Sequence, residues 1–531
     1  MNNIVKSLLL SLSISLFATP SYALDASPNP IEGSQVGVAY LKPHDNKIYG
    51  ANYDTYMHPA STLKVITGLA AILYLGHDYK FITNIAVASN KVTSQGKVVV
   101  DQNGTLHSNV LIKFVGDPSF TSRSYRTLIG TLTNFGVKRI DGDVILDISR
   151  FAGMPRGQGW SWDDTPICFT APAGSAIINR NCVFAQLQPQ GIGNVATAKL
   201  NSASPIVLES DAIGVKQANY GGNCELQAQL YMKNQYHITG CVPVLGNNQP
   251  WPLSLAVSDP DQWAVDWTNI ILKEKKIGFK RILLARSEQE GYQTVGSIES
   301  KSLSELTKYM LHKSNNLYAD AIAKTVAAEF YKLPATYHRT VNALRQVLNR
   351  YANINLGNTY LVDGNGLSPH NLVTPHKMLE ILEFINKNDQ KLDFIKLLPV
   401  ADESGTLHWR ASTRNPPLAK NVTAKTGTIQ NVSNLMGFMH TKSGVRVPFV
   451  FYTNSISYDQ KTRDLVKYHK IASPHLRYER YVLEQIYDEM KRHRRILDFG
   501  DLEHKTLDLL LGTHRSAPTA ISKEISNRFR E

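Results

Sequence analysis

Leu63, Ile66, Leu69, Ala70 and Leu73 recur at helical spacing behind Pro59 and Ser61, which predicts a long helix opening at Ser61. Ahead of it, 35–42 (QVGVAYLK) and 46–53 (NKIYGANY) read as two strands joined by a turn around Asp45-Asn46. From about 81 to 285 the pattern changes to many short strands with Gly, Asn and Pro turns. There, VLIKFVGDPSF and GDVILDISRF flank a helix-like YRTLIGTLTNFGV, and the β-rich CELQAQLYMKNQYHITGCVPV lies between the last two cysteines. After about 300 helical periodicity returns in LSELTKYMLHK, LYADAIAKTVAAEFYKL and ALRQVLNRYANI. Near the end, VTAKTGTIQNVSNLMGFMHT alternates and forms a hairpin with RVPFVFYTNSI around Ser443-Gly444. A closing helix, HLRYERYVLEQIYDEM, places Tyr478, Tyr481, Val482, Gln485, Ile486 and Met490 near one face. No fixed-period repeat is visible. The simplest organisation is one α/β domain built from both chain ends and interrupted by an inserted β-rich region.

At 531 residues the chain is too long for one ordinary core. With 43% hydrophobic and 19% charged residues it is globular rather than disordered. Lys plus Arg exceed Asp plus Glu by 13 (57 − 44), a surface suited to nucleic acid, acidic polymers or anionic lipid. The N-terminus narrows that choice. Lys6, the apolar stretch Leu8 to Phe17, Pro20, and the small residues Ser21 and Ala23 have the layout of a secretory signal peptide cleaved near Ala23. An N-terminal anchor is the alternative, but the apolar stretch is short for a span. Export argues against a nucleic-acid partner and places the mature chain in the periplasm.

The four cysteines agree with export. Of three possible pairings we take the local one, Cys168 with Cys182 and Cys224 with Cys241. Each closes a loop of about fifteen residues, contributing roughly 3 kcal/mol in the chain-entropy model. No CxxC or HExxH pattern accompanies them, so no metal or other cofactor is expected.

Three short motifs carry chemistry. Ser61 and Lys64 lie three apart, so on a helix they share a face. A serine hydroxyl needs a base, and lysine serves only when neutral, a state favoured by desolvation or a second cation. Lys425 in the strand-like AKTGT can be that cation, and Gly427 there would let a substrate backbone lie close to the strand. In KSNN, Ser314 and Asn316 stand at the joint between two helices, where both can aim into one cleft. Singly, each has a bland reading: a helix cap, a turn, a solvated strand charge. Together and in this order they are a strong signal.

The set resembles the penicillin-recognising serine enzymes, which act on D-alanyl-D-alanine peptides and are acylated by β-lactams. The 253 residues between Ser61 and Ser314 make the chain similar to the type-4 penicillin-binding proteins, D-alanyl-D-alanine carboxypeptidases/endopeptidases with domains inserted at that point. Further matches are GWSWDD (159–164), APAGSAIINRNCV (171–183), DGNGLS (363–368) and SGTL (404–407). The resemblance implies an α/β fold with a β-lactamase/transpeptidase-like catalytic domain, an antiparallel sheet with helices on both faces. It implies a catalytic domain of 24–80 and 286–490, an inserted α/β domain of 81–165 and 251–285, and a nested β-rich domain of 166–250. Signal peptide 1–23 and tail 491–531 complete the division. It further implies Ser61 as nucleophile, Lys64 as its base, Ser314 as proton relay and Asn316 as a holder of the acyl-side amide. Lys425 and Thr426 would meet the terminal carboxylate, and the N–H groups of Ser61 and Thr428 would form an oxyanion hole. Trp160 and Asp163 would contact a diaminopimelate side chain, whose ammonium suits a carboxylate. Peptidoglycan peptides and β-lactams are the implied partners.

Two departures stand out. Pro369 and His370 follow GLS where the family usually has arginine, and DGNG carries Asn365 where the family has serine. A calcium loop at VDGNG has too few carboxylates. A β-lactamase and an inactive peptidoglycan-binding scaffold are the rival readings. The long insert and Ser-x-Asn count against the first, and the retained Ser61 and Lys64 against the second. Beyond Met490, KRHRR (491–495) and LDLLLG read as a solvated tail or as weak attachment to anionic lipid, where each basic residue adds about 1 kcal/mol. For lipid attachment, the mature chain should pellet with anionic vesicles at low salt and a chain truncated after Met490 should not. Equal partitioning leaves a solvated tail.

Overall fold

The computed structural model describes residues 31–42, 47–220, 224–440, 446–467, 470–493 and 522. The expected signal peptide, both expected turn centres (Asp45-Asn46 and Ser443-Gly444) and nearly all of the expected tail lie outside the described residues. The chain ends meet in one five-stranded antiparallel sheet of order Val422–Ile429, Val432–His440, Arg446–Asn454, Gln35–Leu41, Ile48–Ala51. The stretch 422–440 is therefore itself a hairpin, turning at Gln430-Asn431, where the sequence pattern suggested a single alternating run.

Both faces of this sheet are covered, which is why the strands Val432–His440 and Arg446–Asn454 are almost continuously buried. On one face, Val450 and Tyr452 join the core of helices α1 (Lys64–Leu75), α4 (Leu303–Lys313), α5 (Asn316–Tyr331), α6 (Tyr337–Ala352) and α7 (Pro375–Leu392). The intervening Phe449 and Phe451 meet α9 (Pro474–His493) on the other face. That alternation is the two-residue period of a strand. On α9 the side chains that join this core are Val482, Leu483, Ile486, Tyr487 and Met490, while Tyr481 and Gln485 are exposed. The expected face is rotated because Glu479 is drawn inward by Arg410 at 2.6 Å and by the Ser412 hydroxyl.

The insert has its own mixed sheet, ordered Ile282–Ala285, Val144–Asp147, Val110–Lys113, Ile82–Ala88, Tyr292–Glu299. Helices α2 (Ser122–Asn134) and α3 (Pro260–Glu274) close its core with Tyr125, Trp263 and Trp267. A further β-rich unit has a separate core around Leu187, Tyr236, Ile238 and Val242. The expected edges move here. Tyr292–Glu299 pairs with Ile82–Ala88, so the insert runs past 286. Trp251–Ala256 pairs with Cys182–Gln188, so the nested unit runs past 250. Strand pairing, which joins residues distant in sequence, decides both. Disulfides join Cys168 to Cys182 and Cys224 to Cys241. Among the described residues no helix is long and apolar enough to cross a membrane.

The Arg410–Glu479 pair is nearly inaccessible, with side chains 8% and 1% exposed. Removing one partner strands the other charge in the core. Glu479→Ala should lower the unfolding free energy by about 3–5 kcal/mol in chemical denaturation. Glu299→Ala, which breaks the exposed pair with Lys80, should leave it nearly unchanged.

Candidate active site

Ser61 does not cap α1. It sits in a 3-10 turn, Ala60–Leu63, and the α-helix proper begins at Lys64. Asn434 and Asn454, on adjacent strands of the sheet, hold the approach to this turn through the carbonyl and N–H of His58. Thr62 donates to the Pro59 carbonyl at 2.7 Å and meets the Tyr452 hydroxyl. Ala60 is in the left-handed region (φ 47°), a conformation that costs a non-glycine residue roughly 1–2 kcal/mol. Its carbonyl fits against Gly366, where a Cβ would stand 1.9 Å from that oxygen. Glycine is required there.

The sheet's edge strand explains the second glycine. A Cβ on Gly427 would lie 2.6 Å from the Pro59 carbonyl and 3.1 Å from Thr62 Cγ2. The missing side chain admits the protein's own turn rather than a substrate backbone. Ser61 is thereby pressed against the strand that carries Lys425 and Thr428.

Lys64 is fully buried, and its Nζ lies 2.8 Å from Ser61 Oγ, 2.7 Å from Asn316 Oδ1 and 2.7 Å from the Asn365 carbonyl. Burial lowers its pKa to about 7, although Asp363 and Asp320 pull the other way. Lys425 Nζ donates to Ser314 Oγ at 2.9 Å and to the Thr426 carbonyl at 2.7 Å. Burial first, then Lys64 and Arg410, push its pKa well below the usual lysine range. Ser314 is the left-handed residue (φ 53°) ending α4, and Asn315 caps α5, so Asn316 opens that helix facing Lys64. Thr426 Oγ1 meets Thr406 of SGTL at 2.8 Å, and Thr428 is exposed.

Ser61, Lys64, Ser314, Asn316, Lys425, Thr426, Gly427 and Thr428 thus share one cleft. Of the two other expected contacts, Trp160 lies to its side and Asp163 touches none of these residues. The Trp160 indole donates to Asp363 at 3.1 Å, while Asp163 is exposed and without a hydrogen-bond partner among the described residues. The cysteines stand apart from the chemistry, but Phe169, next to Cys168, accepts from Asn316 Nδ2 at 2.8 Å. The insert thus touches Asn316. No group of residues suited to a metal ion occurs among the described residues.

Sequence reasoning missed what lies beneath. Asp320 accepts from the Gly364 N–H at 2.9 Å, Asn365 Nδ2 at 2.6 Å and the Tyr337 hydroxyl at 2.9 Å. Asp363 accepts from Gly366 and Ser368 N–H and from Asn371 Nδ2, all at 2.8 Å. Together they hold the loop whose carbonyl meets Lys64. Asn365 fits here because its amide gives Asp320 a donor. The signal was available: Asn316, Asp320 and Lys324 recur at four-residue spacing in an otherwise apolar helix, one polar stripe.

An antiparallel sheet flanked by helices, with the serine–lysine turn against its edge strand, is a β-lactamase/transpeptidase-like catalytic fold. Residues 22–469 match the model of the D-Ala-D-Ala carboxypeptidase 3 (S13) family. The chain is 36% identical over 488 residues to D-alanyl-D-alanine carboxypeptidase DacB of Haemophilus influenzae, covering 91% of this chain and 97% of that one. The crystal structure of penicillin binding protein 4 (dacB) from the same organism aligns at a TM-score of 0.77 with 34% identity, over 86% of this chain and 98% of that one. Its complex with a novel β-lactam aligns at 0.74 with 32% identity, over the same shares. The chain belongs to the D-Ala-D-Ala carboxypeptidase 3 (S13) family.

Below pH 7 Lys64 is protonated and cannot accept a proton; above it the neutral amine dominates. The reactivity of Ser61 toward an acylating ester should therefore climb as pH rises through about 7. Lys64→Ala should flatten that limb and slow the reaction by ~10²–10⁴-fold. Lys64→Arg should not rescue it, because a guanidinium stays charged.

Proposed function

We propose that this chain is a serine-type D-alanyl-D-alanine carboxypeptidase, and also a D,D-endopeptidase, acting on peptidoglycan peptides through an acyl-enzyme on Ser61. One observation carries the reading. Of the three partners of Lys64 Nζ, the Asn316 and Asn365 oxygens can only accept hydrogen bonds, whereas the Ser61 hydroxyl can also donate. The Asn316 amide is oriented by its own donation to Phe169. A neutral Lys64 therefore keeps its two N–H bonds on the carbonyls and turns its lone pair to Ser61.

In the reaction, Ser61 Oγ bonds to the carbonyl carbon of the penultimate D-alanine as its proton passes to Lys64. The oxyanion is taken up by the N–H groups of Ser61 and Thr428. As the C–N bond breaks, the departing D-alanine amine receives a proton through the Ser314 hydroxyl. Water then cleaves the ester. Lys425 and Thr426 would hold the terminal carboxylate, and Asn316 the acyl-side amide. The outer edge of the strand from Lys425 onward has no backbone partner among the described residues, which suits a peptide adding as a further strand. With a β-lactam the leaving amine stays tethered, so the acyl-enzyme persists. Trp160 and Asp163 remain the proposed contacts of a diaminopimelate side chain. Disulfides and the N-terminal layout support export to the periplasm.

Incubation with a fluorescent penicillin should label one peptide, the one containing Ser61, and Ser61→Ala should abolish the label. A Ser61→Ala protein labelled at the wild-type rate sinks the proposal, and rapid penicillin turnover would favour a β-lactamase.

A further inference from the structure

Outside the catalytic cleft, a cavity of about 430 Å³ opens between the insert and the α4–α5 pair. This lies in the range of roughly 300–1,000 Å³ that small-molecule sites occupy. Tyr309 of α4 and Tyr318 of α5 form one wall, their rings 4.6 Å apart. Tyr318 is only 6% exposed, yet its hydroxyl has no hydrogen-bond partner among the described residues. Burial holds that phenol in its protonated, donating form. Across the cavity, Arg180 donates to the Tyr309 hydroxyl at 2.9 Å and covers the Phe184 ring at 5.5 Å. Phe184 remains 42% exposed on its strand, so Arg180 covers its ring only in part. Ser122 and Asn179, bonded to each other, add hydroxyl and amide groups to the rim.

A partly exposed aromatic ring, a tyrosine buried in its ring whose accessible hydroxyl has no hydrogen-bond partner among the described residues, and a rim of amide and hydroxyl groups match one ligand chemistry. A pyranose offers an apolar C–H face to an aromatic ring and hydroxyls around its edge, and an N-acetyl carbonyl accepts from a donor such as Tyr318 or Arg180. A strongly anionic ligand fits less well. Arg180 is the only cationic residue of the wall, and the buried Asp117 carboxylate bears on Tyr318 from behind.

The cavity is also joined to the catalytic cleft. Cys182 on its wall is bridged to Cys168, whose neighbour Phe169 accepts from Asn316. Tyr318 itself stands two residues beyond Asn316. We propose that this cavity is a subsite for an N-acetylated amino-sugar unit, engaging the glycan to which the stem peptide is attached. The inference rests on the peptidoglycan substrate proposed above.

Two measurements test it. Hydrolysis of a disaccharide-pentapeptide should show a KM about tenfold below that of the free pentapeptide, a difference of about 1.4 kcal/mol. Tyr318→Phe and Phe184→Ala should each erase most of that advantage while leaving free-pentapeptide kinetics and penicillin acylation unchanged. Equal KM values for the two wild-type substrates overturn the subsite but not the carboxypeptidase. If neither substrate is cleaved and penicillin does not label, the functional reading fails instead. Saturation-transfer NMR with N,N′-diacetylchitobiose then decides the subsite by itself: transfer that Tyr318→Phe weakens supports it. No transfer, transfer unchanged in both variants, or displacement by inorganic phosphate overturns it.

Discussion

The amine of Lys64 is taken out of water with no carboxylate touching it, and the catalytic domain is arranged around that condition. An isolated buried ammonium is costly, so the group moves toward its neutral form, here with a pKa of about 7. Asp320 and Asp363 are near enough to favour the charged form but make no contact with the amine, being occupied by donors of the loop Gly364 to Ser368. Direct contact would hold the lysine protonated. Amide oxygens meet it instead, which satisfies its N–H groups without fixing its charge.

That arrangement depends on α5. Its polar stripe runs from Asn316 at the cleft, through Asp320 under the loop, to Lys324, which donates to the Ala173 carbonyl at 2.8 Å. Two carbonyls of the segment after Cys168, those of Phe169 and Ala173, therefore seat both ends of the stripe. The insert therefore helps to orient Asn316, although it supplies none of the groups proposed to react. A long insertion at this point of the chain is constrained by contact and not merely tolerated.

Much of this was legible in the sequence, and the boundary of legibility has physical causes. α4 was readable to its residue limits because its cap, Ser302 with Glu305, and its periodicity are local. The Ser61–Lys64, Ser314–Asn316 and Lys425–Gly427 motifs could be singled out because the chemistry proposed for them restricts the residue types, and the fold brings them together. The hairpin at Gln430-Asn431 was hidden because the alternation runs on through the two-residue turn, so nothing local separates the two strands. The membership of Tyr292–Glu299 in the insert was hidden because pairing with Ile82–Ala88 is set by tertiary structure. Gly427 shows a third case: the residue was rightly singled out, but its reason, the approach of Pro59, needs three dimensions.

The two lysines complete the electrostatic argument. Each lies buried in the same cleft, and Lys64 is among the causes that lower Lys425. The cleft therefore resists holding two ammonium charges at once. An incoming carboxylate changes that balance, since it favours the charged form of the lysine it meets. If it meets Lys425, the positive charge settles there and Lys64 is left the neutral partner of Ser61. Under the function proposed above, substrate binding and activation of Ser61 would then be one electrostatic event, with Glu479 keeping the third cation, Arg410, compensated.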